Sequence, residues 1–478
     1  MMKIQKTSKL AKLSIAAVLL STSIGAAQEV PAVAAEHTPA HAAEPVPVET
    51  PAVVETAPVA PVVPTAPVVV AVVESAPVAK AAESTSATIA GTKISLYGRL
   101  ELNAAYEDNI TQGLWSASAP NPKKNADGDK ITPQGRTSLS VARTRLGLNL
   151  EGPSKDDEPS LKGKFEADFA GSSAYGNFNG SSGFRIRQSW GSVTFKDIGL
   201  TLLFGQTDDV VTPYDPPSIN PSSLNGAGNL GNRRPQIRLT QVLGPIDIAV
   251  AATHDRTYGY IARKDKDDGT KDTMTVSDGN APSTSGVQGR LGLKLPASWA
   301  GEKANLAIGV GGLFAKNEAA NADDKNRYAR PEPSYMFGLD LSLPLIDILT
   351  LTGEFFSGQN LSRYGDGSLG QKRAYSDDGG IQSIGWWGGL AAKLPASISA
   401  GAGVGAESLD KKSKSNNSAE SNMFIFANLA YNFTSAAKIT FEYLTYSTDY
   451  SVFKSGEYDS KNNGSLNRFE LNFRYDFK

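Results

Sequence analysis

Leu466-Asn-Arg-Phe-Glu-Leu-Asn-Phe-Arg-Tyr-Asp-Phe477 decides the fold. Phe469, Leu471, Phe473, Tyr475 and Phe477 alternate with Arg468, Glu470, Asn472, Arg474 and Asp476. Side chains on a strand point to opposite faces in turn, so this strand has one apolar and one charged face. The same period of two sets Ile94, Leu96, Leu100, Leu102 and Tyr106 against Tyr97, Arg99, Glu101 and Asn103. It recurs where Leu161, Phe165, Ala167 and Phe169 alternate with Lys162, Lys164, Glu166 and Asp168. A soluble antiparallel sandwich alternates as well. Two features separate the cases. Segments of roughly 10–15 residues suit a tilted membrane crossing better than a globular strand. Their connections also alternate between short and long, the asymmetry of outer-membrane barrels.

Sixteen segments fall at 93–107, 136–152, 159–171, 183–196, 198–208, 234–243, 246–255, 285–295, 303–316, 333–343, 348–360, 381–394, 397–408, 421–433, 436–448 and 465–477. Short connections include Gly244-Pro245, Pro344–Asp347, Pro395-Ala396 and Thr434–Ala436. Long ones cover 108–135, 172–182, 209–233, 256–284, 317–332, 361–380, 409–420 and 449–464. The pattern predicts an all-β chain, a 16-stranded antiparallel transmembrane β-barrel over 93–478 with short periplasmic turns and long extracellular loops. Only closure satisfies the edge strands in lipid, and an even count leaves both ends on the periplasmic side.

Composition narrows the chemistry. The 478 residues carry 47 Lys+Arg against 49 Asp+Glu, no cysteine, and three histidines at His37, His41 and His254. There is no basic excess of the kind nucleic acid demands. Without cysteine, thiolate catalysis, disulfides and Cys-based zinc sites are excluded. His254 is the single histidine after residue 92, so a base beside a nucleophile has little to build on. No enzyme activity, cofactor or metal is expected. Asp265, Asp267 and Asp268 beside Gly269 miss the spacing of a calcium loop. Gly401-Ala-Gly-Val-Gly405 sits in a strand pattern with no helix after it, unlike a nucleotide loop.

The N-terminus reads as an export signal over 1–27. Lys3, Lys6, Lys9 and Lys12 precede the apolar stretch Leu13–Leu20, and Gly25-Ala26-Ala27 offers a small-residue cleavage site, with a later one after Ala35. Residues 28–92 hold ten of the 27 prolines and no aromatic. Pro58, Pro61, Pro64 and Pro67 recur every third residue, the period of polyproline II. This stretch reads as a disordered Pro/Ala/Val-rich periplasmic linker, a stalk contacting the cell wall or a plain spacer.

A barrel of this size encloses water. Through the first six strands the lumen-phase bases Arg99, Arg143, Arg145, Lys162, Lys164, Arg185, Arg187 and Arg238 outnumber the acids Glu101, Glu151, Glu166 and Asp168 eight to four. Arg143/Arg145 and Arg185/Arg187 each put two guanidinium groups on one face, with Thr144 and Ile186 turned to lipid. Fixed guanidinium charge favours anions in a narrow channel. The bland alternative is that these arginines pair with the acids across strands. The third long connection runs Val210-Val211-Thr212-Pro213-Tyr214-Asp215-Pro216-Pro217 and then Gly226-Ala-Gly-Asn-Leu-Gly231, stiff at one end and permissive at the other. It leads into Arg233-Arg234 and Arg238. Folded inward as a constriction, it would set Asp208, Asp209 and Asp215 opposite the arginines of strands two, four and six.

Phe165-Glu-Ala-Asp-Phe-Ala-Gly171, Phe184-Arg-Ile-Arg-Gln-Ser-Trp190, Phe204-Gly-Gln-Thr207, Arg234-Pro-Gln-Ile-Arg238 and Gly353-Glu-Phe-Phe-Ser-Gly-Gln-Asn-Leu361 resemble the DcaP-like trimeric outer-membrane porins. The resemblance covers most of 93–478. It implies a homotrimer in outer-membrane lipid that passes small anionic solutes such as dicarboxylates, with Arg143, Arg145, Arg185, Arg187 and Arg238 facing the solute. Two departures stand out: residues 28–92 are Pro-rich where the family has a helical region, and the last residue is Lys478 rather than an aromatic. A phosphate-preferring channel is one alternative, since arginine suits phosphate as well as carboxylate. A structural barrel or adhesin whose loops bind a partner is another. Loops of under about 30 residues with no folded-domain pattern favour the channel.

Overall fold

The computed structural model describes residues 86–109, 120, 122–124, 129–153, 158–171, 183–254, 261–265, 271–275, 285–315, 333–365, 367–370, 380–410, 419–454 and 457–478. The export segment, the linker up to residue 85 and the aspartates at 267 and 268 lie outside the described residues.

Among the described residues twenty strands follow in order: β1 (Ser86–Ile89), β2 (Thr92–Glu107), β3 (Arg136–Ser140), β4 (Arg145–Glu151), β5 (Ser160–Gly171), β6 (Gly183–Phe195), β7 (Leu200–Asp208), β8 (Arg233–Leu243), β9 (Ile246–His254), β10 (Ile261–Asp265), β11 (Lys271–Thr275), β12 (Ser285–Pro296), β13 (Asn305–Ala315), β14 (Ser334–Ile346), β15 (Leu349–Gln359), β16 (Gln382–Leu394), β17 (Ile398–Leu409), β18 (Ala419–Asn432), β19 (Ala437–Lys454) and β20 (Glu457–Phe477). β3 and β4 both pair with β2 and make one crossing between them. With β2, β5 to β9 and β12 to β20, the crossings number sixteen. Neighbours pair antiparallel throughout, and the ring closes where β2 meets β20, Gly98 opposite Phe477. β9 pairs directly with β12, so the β10–β11 hairpin stands outside the ring.

Burial is inverted relative to a soluble protein. Leu100, Tyr106, Phe204, Ile237, Phe337, Trp386, Tyr431, Phe473 and Tyr475 are exposed on the outer face. Arg99, Glu101, Glu166, Asp168, Asp340, Glu442 and Glu470 are buried on the inner one. An apolar exterior around a polar interior is the arrangement lipid selects, and closing the ring leaves no open sheet edge in it.

Four departures from the sequence reading have local causes. The crossing expected at 136–152 is interrupted: Ser140 pairs with Asn103 and Arg145 with Arg99, one residue out of step, so a bulge lies between. Thr144 therefore does not face lipid; its hydroxyl bonds the backbone N–H and C=O of Glu101 and fills the broken ladder. The loop expected at 449–464 is mostly strand, since β19 and β20 continue past the barrel rim. The connection 256–284 carries the β10–β11 hairpin. Finally, residues 86–89 of the Pro-rich segment form β1, which turns through Ala90-Gly91 and pairs along Thr92–Ser95. That stretch of β2 lies beyond the reach of β20, so β1 covers an edge that would otherwise stay open.

Candidate functional site

After Asp208 the chain leaves the wall and makes a circuit of the lumen before returning at Arg233. A loop there has no ladder to satisfy its backbone, so wall side chains must supply the partners. Val210 N–H donates to Gln288 on β12 at 2.8 Å and Tyr214 N–H to Glu354 on β15 at 2.9 Å. Glu442 on β19 accepts from Ser218 Oγ at 2.8 Å, Ile219 N–H at 2.9 Å and Asn220 N–H at 3.1 Å. Asn422 donates to Gly226 C=O, and Asn428 to both Pro217 C=O and Glu442. Apolar contacts complete the attachment. Leu224 and Ala227 pack with Trp387, Phe424, Phe426, Leu444, Tyr446 and Leu466, while Val211 and Leu230 join Leu313, Met336, Phe356, Leu361 and Tyr364.

The Gly401–Gly405 run has a role in this bed. A Cβ on Gly405 would lie 2.3 Å from Ala227 O, and one on Gly401 2.6 Å from Pro217 O. These two positions let the loop backbone lie directly on β17. A second segment, the start of the connection after β15, braces the loop's return. Gly231 N–H donates to Tyr364 C=O, and the Arg234 guanidinium sits 4.2 Å above the Tyr364 ring.

The opposite wall is charged. Glu101 is held by Arg99 at 2.8 Å and Arg143 at 3.3 Å. Glu166 is held by Arg145 at 3.2 Å and Arg187 at 2.9 Å, and Tyr97 OH donates to its second oxygen at 2.9 Å. Arg185 grips Asp168 with both fork nitrogens, at 2.9 and 2.7 Å, and Arg187 reaches the same carboxylate at 3.0 Å. The alternation places Arg185 and Arg187 inward with Ile186 outward, as expected. A bulge then follows: Glu166 pairs with Gln188 and Ala167 with Ile186, leaving Arg187 as the extra residue, and Gln188 also turns inward. Arg143, at the other bulge, donates to the Ile219 carbonyl and ties this wall to the constriction loop.

Asp208 and Asp209 do not line up against the arginines across the lumen. Asp209 takes a bidentate pair from Arg234, at 2.6 and 3.0 Å, and Asp208 pairs with Arg233 at 2.9 Å. These partners sit on adjacent strands and fasten the loop's two roots together. Asp215 is exposed on the loop. Arg238 meets Gln236 at 3.0 Å and the Asp208 carbonyl, and no carboxylate. Among the described residues, seven of the eight arginines thus share five carboxylates, Glu101, Glu166, Asp168, Asp208 and Asp209. Beneath the loop, Arg290 is held by Asp340 and Asp247 at 2.8–2.9 Å. Burial, followed by the nearby Asp340 carboxylate, pushes the Tyr214 phenol above its usual range.

Glu354, Gln288, Asn422, Asn428, Glu442 and Tyr364 went unselected in the sequence. A signal exists, because Met423-Phe-Ile-Phe426 is apolar on both faces and a lumen-facing Phe424 or Phe426 needs something to cover it.

No family model and no curated protein matches this chain. Solved structures do. The outer membrane channel DcaP of Acinetobacter baumannii is 19% identical, with 81% of this chain and 98% of that chain covered and a TM-score of 0.58. OmpF of Salmonella typhi is 8% identical, with 82% and 100% covered and a TM-score of 0.50. The fold is therefore that of the outer-membrane porins, as the motif resemblance implies.

Proposed function

We propose that this barrel is an outer-membrane porin for passive diffusion of small hydrophilic solutes, with a preference for anions of the dicarboxylate type. The observation that carries the reading is the arginine wall. Arg99, Arg143, Arg145, Arg185, Arg187, Arg233, Arg234 and Arg238 outnumber their carboxylate partners. The constriction loop lies against the other side of the lumen, so a solute passing it keeps to the arginine side. Arginine cannot lose its charge near neutral pH, and its fork matches a carboxylate in plane. Each fork shared with a wall acid can exchange onto a passing carboxylate without a deep well. The homotrimer belongs to the same proposal, as does a periplasmic linker over 28–85, ahead of β1.

Reversal potentials of the purified protein in planar bilayers test this. An anion-to-cation permeability ratio above one in a potassium chloride gradient supports it, and cation preference overturns it. Succinate and phosphate gradients compared in the same channel separate dicarboxylate from phosphate preference. Light scattering of the detergent-solubilised protein reads the oligomer.

A further inference from the structure

The arginine wall shares its eight charges with five acids, and a further source of uncompensated charge stands apart from it. It lies toward the short-turn end of the lumen, the periplasmic end of such barrels. Lys162 and Lys164 lie near the start of β5 and face inward in the same phase as Glu166 and Asp168. Neither forms an ion pair among the described residues. Glu151, opposite Lys162 in the ladder, is drawn instead to Lys93 at 3.9 Å. Glu166, one step above Lys164, is taken by Arg145, Arg187 and Tyr97.

Lys164 is nevertheless held. Its Nζ stands 5.2 Å from the centroid of the Tyr97 ring. Tyr97 reaches from β2 across β4 to Glu166 because Gly147 leaves its path clear; a Cβ there would lie 2.3 Å from the ring. On the other side, Trp190 of β6 is its partner in the ladder. An aromatic face attracts a cation through its quadrupole and leaves the net charge intact, whereas a carboxylate cancels it. The ammonium also keeps donors that no fixed partner consumes.

We propose that Lys164, with Lys162 beside it toward the periplasm, forms a second anion station that receives small oxyanions as they leave the arginine wall. The station rests on the anion-channel reading. A flexible, singly charged ammonium holds an oxyanion loosely, which suits release better than a bidentate fork.

The test uses the full-length protein in planar bilayers, with succinate and inorganic phosphate run in parallel with chloride. Lys162→Met with Lys164→Met should lower the anion-to-cation permeability ratio at least about twofold at ~0.1 M salt, where screening extends about 10 Å. Lys164→Arg in the wild-type background should keep the ratio, since it restores charge on the same stem. A ratio unchanged in the double methionine variant, while Arg185→Ala with Arg187→Ala lowers it, overturns the station and leaves the anion channel standing. A wild-type channel without anion preference overturns both. Heat-modifiable mobility on gels identifies folded protein, so a loss of folding is not read as a loss of selectivity.

Discussion

The two sides of the lumen solve opposite problems with the same strand geometry. From β2 to β8 the inward residues are charged, and they satisfy one another across strands: Glu101, Glu166 and Asp168 each sit between two arginines. From β12 to β20 many inward residues are apolar or glycine, and they are satisfied by a loop brought in from outside the sheet. The first side is left open to the lumen and the second is covered by protein. The loop faces a close-packed bed where a small change in shape is costly, while Arg143, Arg145 and Arg185 stay partly exposed to the lumen and can exchange partners.

If that contrast is right, the largest effect comes from crowding the bed. Gly405→Val should overpack the bed, where even a Cβ would lie 2.3 Å from Ala227 O, push the loop toward the arginine side and lower single-channel conductance. Conductance at the parental level would mean that the loop does not define the passage. Leu224→Ala should come next, costing about 2–5 kcal/mol for a fully buried leucine, with denaturant unfolding as the measure. Glu442→Ala removes the acceptor of Ile219 N–H and Ser218 Oγ. Each buried donor left unpaired costs about 1–3 kcal/mol, so the loop tip should loosen and open-channel noise should rise.

On the charged side the effects should appear in selectivity rather than stability. Arg185→Ala with Arg187→Ala strips two cations and leaves Asp168 without its fork partner, so anion preference should fall and the fall should shrink at high salt. Asp168→Asn should shift selectivity the opposite way, toward anions. Equal selectivity in both variants would show that the wall is a closed network unfelt by solute. The smallest expected change is Gly147→Ala, where the new methyl displaces Tyr97 from Glu166. Folding should persist with a modest drop in selectivity at low salt.

Period-two alternation made the barrel readable because one face meets lipid and the other does not, and Leu466–Phe477 shows this without interruption. The inward arginines were readable by the same rule up to Arg187, where a bulge shifts the phase and brings Gln188 inward as well. Bulges depend on cross-strand pairing and leave no mark in a single strand's pattern, which is also why simple alternation puts Thr144 on the lipid face when its hydroxyl bonds Glu101 instead. The inward fold of 209–232 was legible in its prolines and glycines, yet its anchors were not. Glu354 and Glu442 look like ordinary lumen acids until the distant segment that donates to them is in place.

β1 and β20 lie along the same side of β2, one below the other, so the last stave of the barrel is spliced from both ends of the sequence. Pairing of Gly98 with Phe477 joins residues separated by almost the entire barrel. Such contacts carry the largest loop-closure entropy and the highest contact order in the chain. Closure should accordingly be a late, slow event in folding, and the hairpin of β1 on β2, a purely local contact, can form long before it. An early hairpin would shield part of the waiting edge while the C-terminal strand is still unpaired, and would narrow the registers in which β20 can dock.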